Sequence, residues 1–176
     1  MWKKISVILI TIGVILLLLA GVMLIYNMLE DSAKERKIQQ ILKDIRENPD
    51  DMEYDAIGIL TIPKLGLELP VLSDCNESLL EVSVCRYLGK VEKKPEGLVI
   101  AGHNSNTCFK RLPKIEVGDE VCFTTIEGIE YNYTVSQIKD ISKDESQELE
   151  QGWDLTLFTC TPDGEKRVLV RCSEKS

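Results

Sequence analysis

The chain has 176 residues and a formal net charge of −8, a length that fits one domain plus appendages. The acidic balance argues against a nucleic-acid binder, which needs a basic face to neutralise phosphates. The six cysteines, at 75, 85, 108, 122, 160 and 172, contain no C-x2–4-C pair, so a structural zinc site is not expected.

Residues 5–29 contain no Asp, Glu, Lys or Arg. As a helix they would span about 37 Å, more than a hydrocarbon core of about 30 Å. The run is longer than the apolar region of a signal peptide, and Leu-Ala-Gly-Val is a poor cleavage site. The expectation is an uncleaved transmembrane anchor over residues 5–29 behind a short tail of residues 1–4. Basic residues leave the orientation open. Lys3 and Lys4 precede the span, whereas Lys34, Arg36, Lys37, Lys43 and Arg46 follow it, and long domains translocate largely regardless of charge. From Glu30 onward there are 29 acidic and 19 basic residues, a composition suited to a soluble domain.

Ser32 and Glu35 have the spacing of a capping box. Ile38, Ile41, Leu42 and Ile45 then form one apolar stripe. Residues 30–53 are thus expected to hold a short amphipathic helix and a linker, the helix packing on the domain as a spacer or lying over a site as a lid. From Tyr54 the pattern turns to short β-runs at 56–63, 67–72, 97–103, 120–126, 129–138, 155–160 and 167–171, with tight turns near Gly128 and Gly164. Helical pieces are expected at 77–82 and 109–114. This density of strands predicts an all-β domain, a barrel or a sandwich, over residues 54–176.

The last two runs, LTLFTC and RVLVR, flank a Thr-Pro-Asp-Gly turn. Side chains alternate along strands. One register reconciles the two patterns: Cys160 opposite Arg167, Phe158 opposite Leu169, Leu157 opposite Val170 and Thr156 opposite Arg171; a two-residue slip would keep the same faces. Cys160 and Arg167 then share one surface, and Cys172 falls on the apolar face. A thiol near a cation is biased toward the nucleophilic thiolate. The other cysteines are expected to be small buried hydrophobes or disulfide partners, with Cys75, Cys85 and Cys108 in loops or helical pieces. A nucleophilic cysteine needs a proton-transfer partner, and the single histidine, His103, ends the apolar run GLVIAGH where a polar loop begins.

These residues carry a resemblance. Leu-Thr-Leu-Phe-Thr-Cys160, with an arginine soon after in a β-run, resembles the TLxTC segment of sortases. Ala101-Gly102-His103-Asn104-Ser105 resembles their histidine segment. The sequence beginning Phe109-x-x-Leu112 and the domain opening Ile57-Gly58-x-Leu60-x-Ile62-Pro63 also fit. The likeness runs in order through residues 54–172. It implies a closed eight-stranded β-barrel with short helices, held by an N-terminal transmembrane helix on the outer face of a Gram-positive cell membrane. It further implies a cysteine transpeptidase without a cofactor. Such an enzyme cleaves an LPxTG-like signal near the C-terminus of a surface protein. It then passes the acyl part to an amine, on a cell-wall precursor such as lipid II, a peptidoglycan cross-bridge or a pilin lysine. By motif, Cys160 is the nucleophile, His103 the acid and base, Arg167 the oxyanion and substrate partner, and Thr159 a shaper of the substrate site.

Departures from the family also show. The seven-residue step from Cys160 to Arg167 is short, and Arg171 on the same face is a rival for the arginine role. The segment between the strands near Ile138 and Asp154 lacks room for a class B insertion. No aspartate-proline lid motif precedes Tyr54, and no second span follows Cys172, which disfavours class C. Classes A, D and E remain, and calcium sites known in some relatives have no residue-by-residue counterpart here. The competing readings are a membrane-tethered barrel that scaffolds surface proteins without catalysis, and a papain-like peptidase. The latter is disfavoured because its cysteine normally precedes its histidine.

Overall fold

The computed structural model describes residues 2–91, 94–150 and 152–175, with side chains from Ile10 onward and excepting Glu150. It divides into two units, one ending at Arg36 and one formed by Lys37–Ser176. Helix α1 spans Trp2–Glu47. Its described apolar residues between Ile10 and Leu29 are mostly well exposed, and the helix is long and apolar enough to cross a membrane. The part of the expected span before Ile10 lies outside the described side chains.

The capping box at Ser32 is not formed. Ser32 sits inside a continuous helix, and its hydroxyl donates to the Met28 carbonyl one turn earlier at 2.8 Å. The preceding helix already satisfies the backbone groups that a cap would serve, so no new N-terminus arises. The stripe of Ile38, Ile41, Leu42 and Ile45 is buried in the core of the second unit. Lys37 caps the aromatic ring of Tyr54, with Nζ 4.5 Å from its centroid. The helical segment from Lys37 on is therefore part of the folded domain, as expected of a packing spacer, and not a lid.

Eight strands follow: β1 (Ala56–Ile62), β2 (Leu67–Leu72), β3 (Val84–Val91), β4 (Pro95–Ala101), β5 (Glu120–Thr125), β6 (Glu130–Ser142), β7 (Leu155–Cys160) and β8 (Lys166–Glu174). They close into a barrel in the order β1-β2-β3-β4-β7-β8-β6-β5. Closure leaves no unpaired edge, and it decides barrel over sandwich. Two contacts are parallel, β2 with β3 and β4 with β7. The short helix α2 (Glu77–Leu80) and a 3₁₀ segment, Phe109–Lys114, lie close to the expected helical pieces.

Strand β3 was not among the expected runs. Its sequence VCRYLGKV does not alternate cleanly, and its register against β4 shifts twice, around Leu88. Cys85, expected in a loop or helical piece, lies in this strand and is fully buried.

The interior is filled by alternating residues such as Leu60, Val71, Phe123, Leu155, Leu157 and Cys172. A second apolar cluster, Val99, Ala101, Ile141, Leu149, Phe158 and Leu169, forms on the other face of β4, β7 and β8, with Leu149 supplied by the β6–β7 connection. The two clusters explain why β7 is buried on both sides until its last residue, Cys160, which is exposed.

Candidate active site

Alternation and turn chemistry set the β7–β8 hairpin. Cys160 pairs with Arg167, Phe158 with Leu169, Leu157 with Val170 and Thr156 with Arg171, the register expected from the sequence. The turn is closed tightly. Thr161 N donates to the Lys166 carbonyl at 2.9 Å, Gly164 N donates to the Thr161 carbonyl at 2.8 Å, and Gly164 takes a φ of 69° that favours glycine. The Asp163 carboxylate accepts from the Thr161 hydroxyl and from Glu165 N. These bonds hold its carboxyl below the usual range, the Thr161 bond foremost.

Arg167 stands over the Phe158 ring, its guanidinium carbon 5.6 Å from the centroid. Nη1 makes one long bond to the Lys143 carbonyl at 3.4 Å. The ring of Phe158 is met edge-on by Tyr87 of β3, with centroids 5.3 Å apart. The cation is thus propped on an aromatic face, beside the thiol, with no carboxylate against it among the described residues.

Arg171, on the same face of β8, is held quite differently. It is 4% exposed. Nη1 donates to Gln137 Oε1 at 2.7 Å, and Nη2 donates to the Glu148 carbonyl at 2.7 Å and to Glu148 Oε2 at 2.8 Å. Lys139 also pairs with Glu148 at 3.0 Å. Bonds to Lys139 first, and then to Arg171, draw the Glu148 carboxyl below its usual range. Arg171 pins the β6–β7 connection to β8, which leaves Arg167 as the arginine beside the thiol.

His103 follows β4, the parallel neighbour of β7. The last registered pair is Ala101 with Phe158, and Gly102 N donates to the Phe158 carbonyl at 3.1 Å. His103 and Cys160 each lie two residues beyond that pair, at the same rim of the barrel. Gly102 is required here by close approach. A Cβ on it would come within 2.5 Å of the Phe109 ring and 2.8 Å of Val84 Cγ1. Phe109 N in turn donates to the His103 carbonyl at 3.0 Å, fixing the backbone that carries the imidazole.

The His103 ring is one-third exposed. Its Nε2 lies 3.5 Å from Glu81 Oε1 and 3.7 Å from Glu77 Oε1. Both carboxylates come from the α2 region, which Asn76 caps by accepting from Leu79 N at 3.0 Å. Neither glutamate was singled out in the sequence. The signal available was an Asn cap followed by acids four residues apart, but the contact with His103 is made only by the fold. Donor atoms of Glu77, Glu81 and His103 lie within 4.8 Å of one another, close enough to share a cation.

Thr159 departs from a groove-lining position. It is 1% exposed and sits on the inward face of β7, opposite the face of Cys160. Its hydroxyl is buried without a hydrogen-bond partner among the described residues.

Next to the second cluster is a cleft of about 230 Å³ lined by Leu88, Gly97, Val99, Leu149, Gly152 and Trp153. Through Val99 and Leu149 it is continuous with the cluster that contains Phe158, and so with the support of Arg167.

Comparison with known proteins identifies the family of the barrel. The family model described as the sortase domain matches residues 60–175. The chain is 27% identical over 117 residues to Sortase D of Bacillus subtilis, covering 66% of this chain and 54% of that protein. It is 30% identical over 122 residues to Sortase A of Bacillus anthracis, covering 65% and 58%. The aligned chain thus spans little more than half the length of these relatives. Among solved structures, a Clostridium perfringens Sortase D5 transpeptidase superposes with a TM-score of 0.67 at 21% identity, covering 82% of this chain and 99% of that one. Sortase A from Corynebacterium diphtheriae gives 0.64 at 27% identity, covering 73% and 65%. From the family match over most of the barrel, and from the fold shared with these structures, the chain belongs to the sortase family.

Proposed function

We propose that the protein is a membrane-anchored cysteine transpeptidase. Its substrate is an LPxTG-like sorting signal on a surface protein, and its acceptor is an amine of a cell-wall precursor, a peptidoglycan cross-bridge or a pilin lysine. The observation that supports the reading is the rim of the barrel where Cys160 ends β7, Arg167 lies opposite it on β8, and His103 follows the neighbouring strand β4. It is supported by the family and by the helix long enough to serve as a single-pass anchor with the barrel outside the membrane.

The chemistry follows from the roles the residues can fill. The Cys160 sulfur attacks the threonine carbonyl carbon. The developing oxyanion is met by the Arg167 guanidinium, which has no carboxylate among the described residues to compete for its donors. Donors aimed at developing charge are typically the largest catalytic contribution. His103 gives a proton to the departing glycine amine, leaving a thioacyl-enzyme. It then takes a proton from the incoming amine, which attacks the thioester and releases Cys160. The apolar leucine and proline of the signal suit the cleft beside Val99 and Leu149. Thr159 contributes from beneath, by packing the strand that presents Cys160. Glu77 and Glu81 face the imidazole as its anionic neighbours.

The test uses the full chain in detergent with a panel of LPxTG-like peptides and triglycine as acceptor. The expected result is cleavage after threonine, transfer to the amine, and a thioacyl adduct on Cys160 seen by mass. Full activity in Cys160→Ala would overturn the reading. Binding of peptides without cleavage by the wild-type chain would favour the scaffold alternative.

A further inference from the structure

Strand β3 is irregular at Tyr87. Arg86 pairs with Ile100 of β4 and Leu88 with Val99, so two steps along β3 are set against one along β4. Tyr87 is the extra residue, and such a bulge re-aims the side chain it carries. Its ring is 41% exposed and reaches across β4 to Phe158 of β7. On β4 the residue in register with Phe158 is Ala101, whose methyl leaves room for the two rings to meet. They stand at 84° to each other with centroids 5.3 Å apart, a geometry that aromatic quadrupoles favour.

The same Phe158 ring supports Arg167. Little else holds that cation, whose bond to the Lys143 carbonyl is long at 3.4 Å. The place of the guanidinium beside Cys160 therefore depends on the tilt of the ring beneath it. Val99, Ala101 and Leu169 pack around Phe158, but aliphatic side chains fill space without direction. Tyr87 is the aromatic partner of Phe158 among the described residues, and its perpendicular contact is directional.

We propose that Tyr87 is a positioning residue for Arg167, acting through Phe158. The bulge sets Tyr87, Tyr87 sets the tilt of Phe158, and Phe158 holds the guanidinium at the thiol. The proposal deepens the transpeptidase reading, on which the catalytic role of Arg167 rests. Without the Tyr87 ring, Phe158 turns and Arg167 spends part of its time away from Cys160. The loss then falls on kcat, where the oxyanion is met, and not on KM.

The test uses the full chain in detergent and two readouts. The first is alkylation of Cys160 by iodoacetate and by iodoacetamide, followed by mass on the peptide that carries it. The reagents differ in charge, so the ratio of their rates reports the cation beside the thiol and needs no peptide substrate. Arg167→Ala gives the ratio without the cation. Tyr87→Ala should lower the wild-type ratio about threefold toward that value. Tyr87→Phe, which keeps the ring, should hold the wild-type ratio, and Tyr87→Leu, which keeps bulk alone, should behave as Tyr87→Ala. The second readout is transfer of an LPxTG-like peptide to triglycine. There Tyr87→Ala should lower kcat about fivefold with KM unchanged, and Tyr87→Phe should restore it. An unchanged alkylation ratio in Tyr87→Ala would overturn the proposal. So would a loss in Tyr87→Phe as large as in Tyr87→Ala, full retention in Tyr87→Leu, or a rise in KM with kcat unchanged. If the wild type transfers nothing while the ratio still falls in Tyr87→Ala and holds in Tyr87→Phe, the transpeptidase reading fails and the positioning of Arg167 stands.

Discussion

The β7–β8 ladder carries a cysteine and an arginine at each of its ends, and the two ends do different work. At the rim, Cys160 is exposed opposite Arg167, and Arg167 rests on Phe158 with one long backbone bond. At the base, Arg171 and Cys172 lie opposite Thr156 and Leu155, both buried. The Nη atoms of Arg171 are held by Gln137 and Glu148, and Cys172 is sealed in the core. Identical side chains on one hairpin are thus separated by their partners. A cation whose charge is met by a carboxylate inside the folded chain stabilises the fold, and one without such a partner among the described residues is free to meet a substrate.

The largest test of this contrast is Cys160→Ala. Peptide transfer should fall by about 10⁴-fold or more, while the thermal midpoint moves by no more than a degree or two, since the side chain is exposed. Retained transfer would move the chemistry away from the rim.

The two arginines should then split cleanly. Arg167→Ala is expected to lower kcat by about 10²–10³-fold, the range for loss of an oxyanion donor, with little change in stability. Arg171→Ala should do the converse. Arg171 is buried and its guanidinium makes three hydrogen bonds, so its loss should lower the midpoint by roughly 5–10 °C for a domain of this size. Its kcat, measured well below that midpoint, should stay within severalfold of the wild type. Parallel kinetics and calorimetry of both variants decide the matter, and a large kcat loss in Arg171→Ala with full stability would reverse the assignment.

A smaller effect is carried by pH. Glu148 has its carboxyl held below the ordinary value of 4.5 by Lys139 and Arg171. A depressed pKa contributes stability that is present above the ordinary value and lost as pH falls through it. Glu148→Gln should therefore flatten the stability profile below about pH 4.5, measured as the urea midpoint between pH 3 and 6. A profile as steep as the wild type's would remove Glu148 from the base of the ladder.

Much of this contrast was readable before any coordinates, and the reason is physical. In the hairpin, period-two alternation fixes the faces, so Cys160 and Arg167 share a surface even after a two-residue slip, and the closed turn selects the pairs from Cys160–Arg167 to Thr156–Arg171. Strand β3 was opaque because its register shifts around Leu88 and its Gly89 takes a φ of 94°, which breaks the alternation that identifies strands. Ser32 misled because a capping box is local, while the helix before it was already continuous. The choice between Arg167 and Arg171 needed the β6–β7 connection, since Glu148 reaches Arg171 only after the barrel closes. Glu77 and Glu81 were hidden for the same reason, as their meeting with His103 joins separate parts of the chain.

The smallest expected effect belongs to Cys172. Its thiol is fully buried, in register with Leu155 and with Val135, and burial pushes it up to about 12. Cys172→Ala removes one sulfur from a packed core and should cost about 1 kcal/mol near neutral pH, with transfer activity unchanged. The sign reverses in alkali. A raised folded pKa gives stability that is complete below the ordinary thiol value of 9.0 and is lost as pH rises toward the folded value. Above pH 9 the unfolded wild type gains the ionisation that the native state denies it, and the alanine chain has no such thiol. The stability gap between the two should therefore narrow from pH 9 upward. Urea titrations at pH 8 and pH 10.5 read this directly, and a gap that stayed constant would mean that Cys172 is not sealed from solvent as the base of the ladder requires.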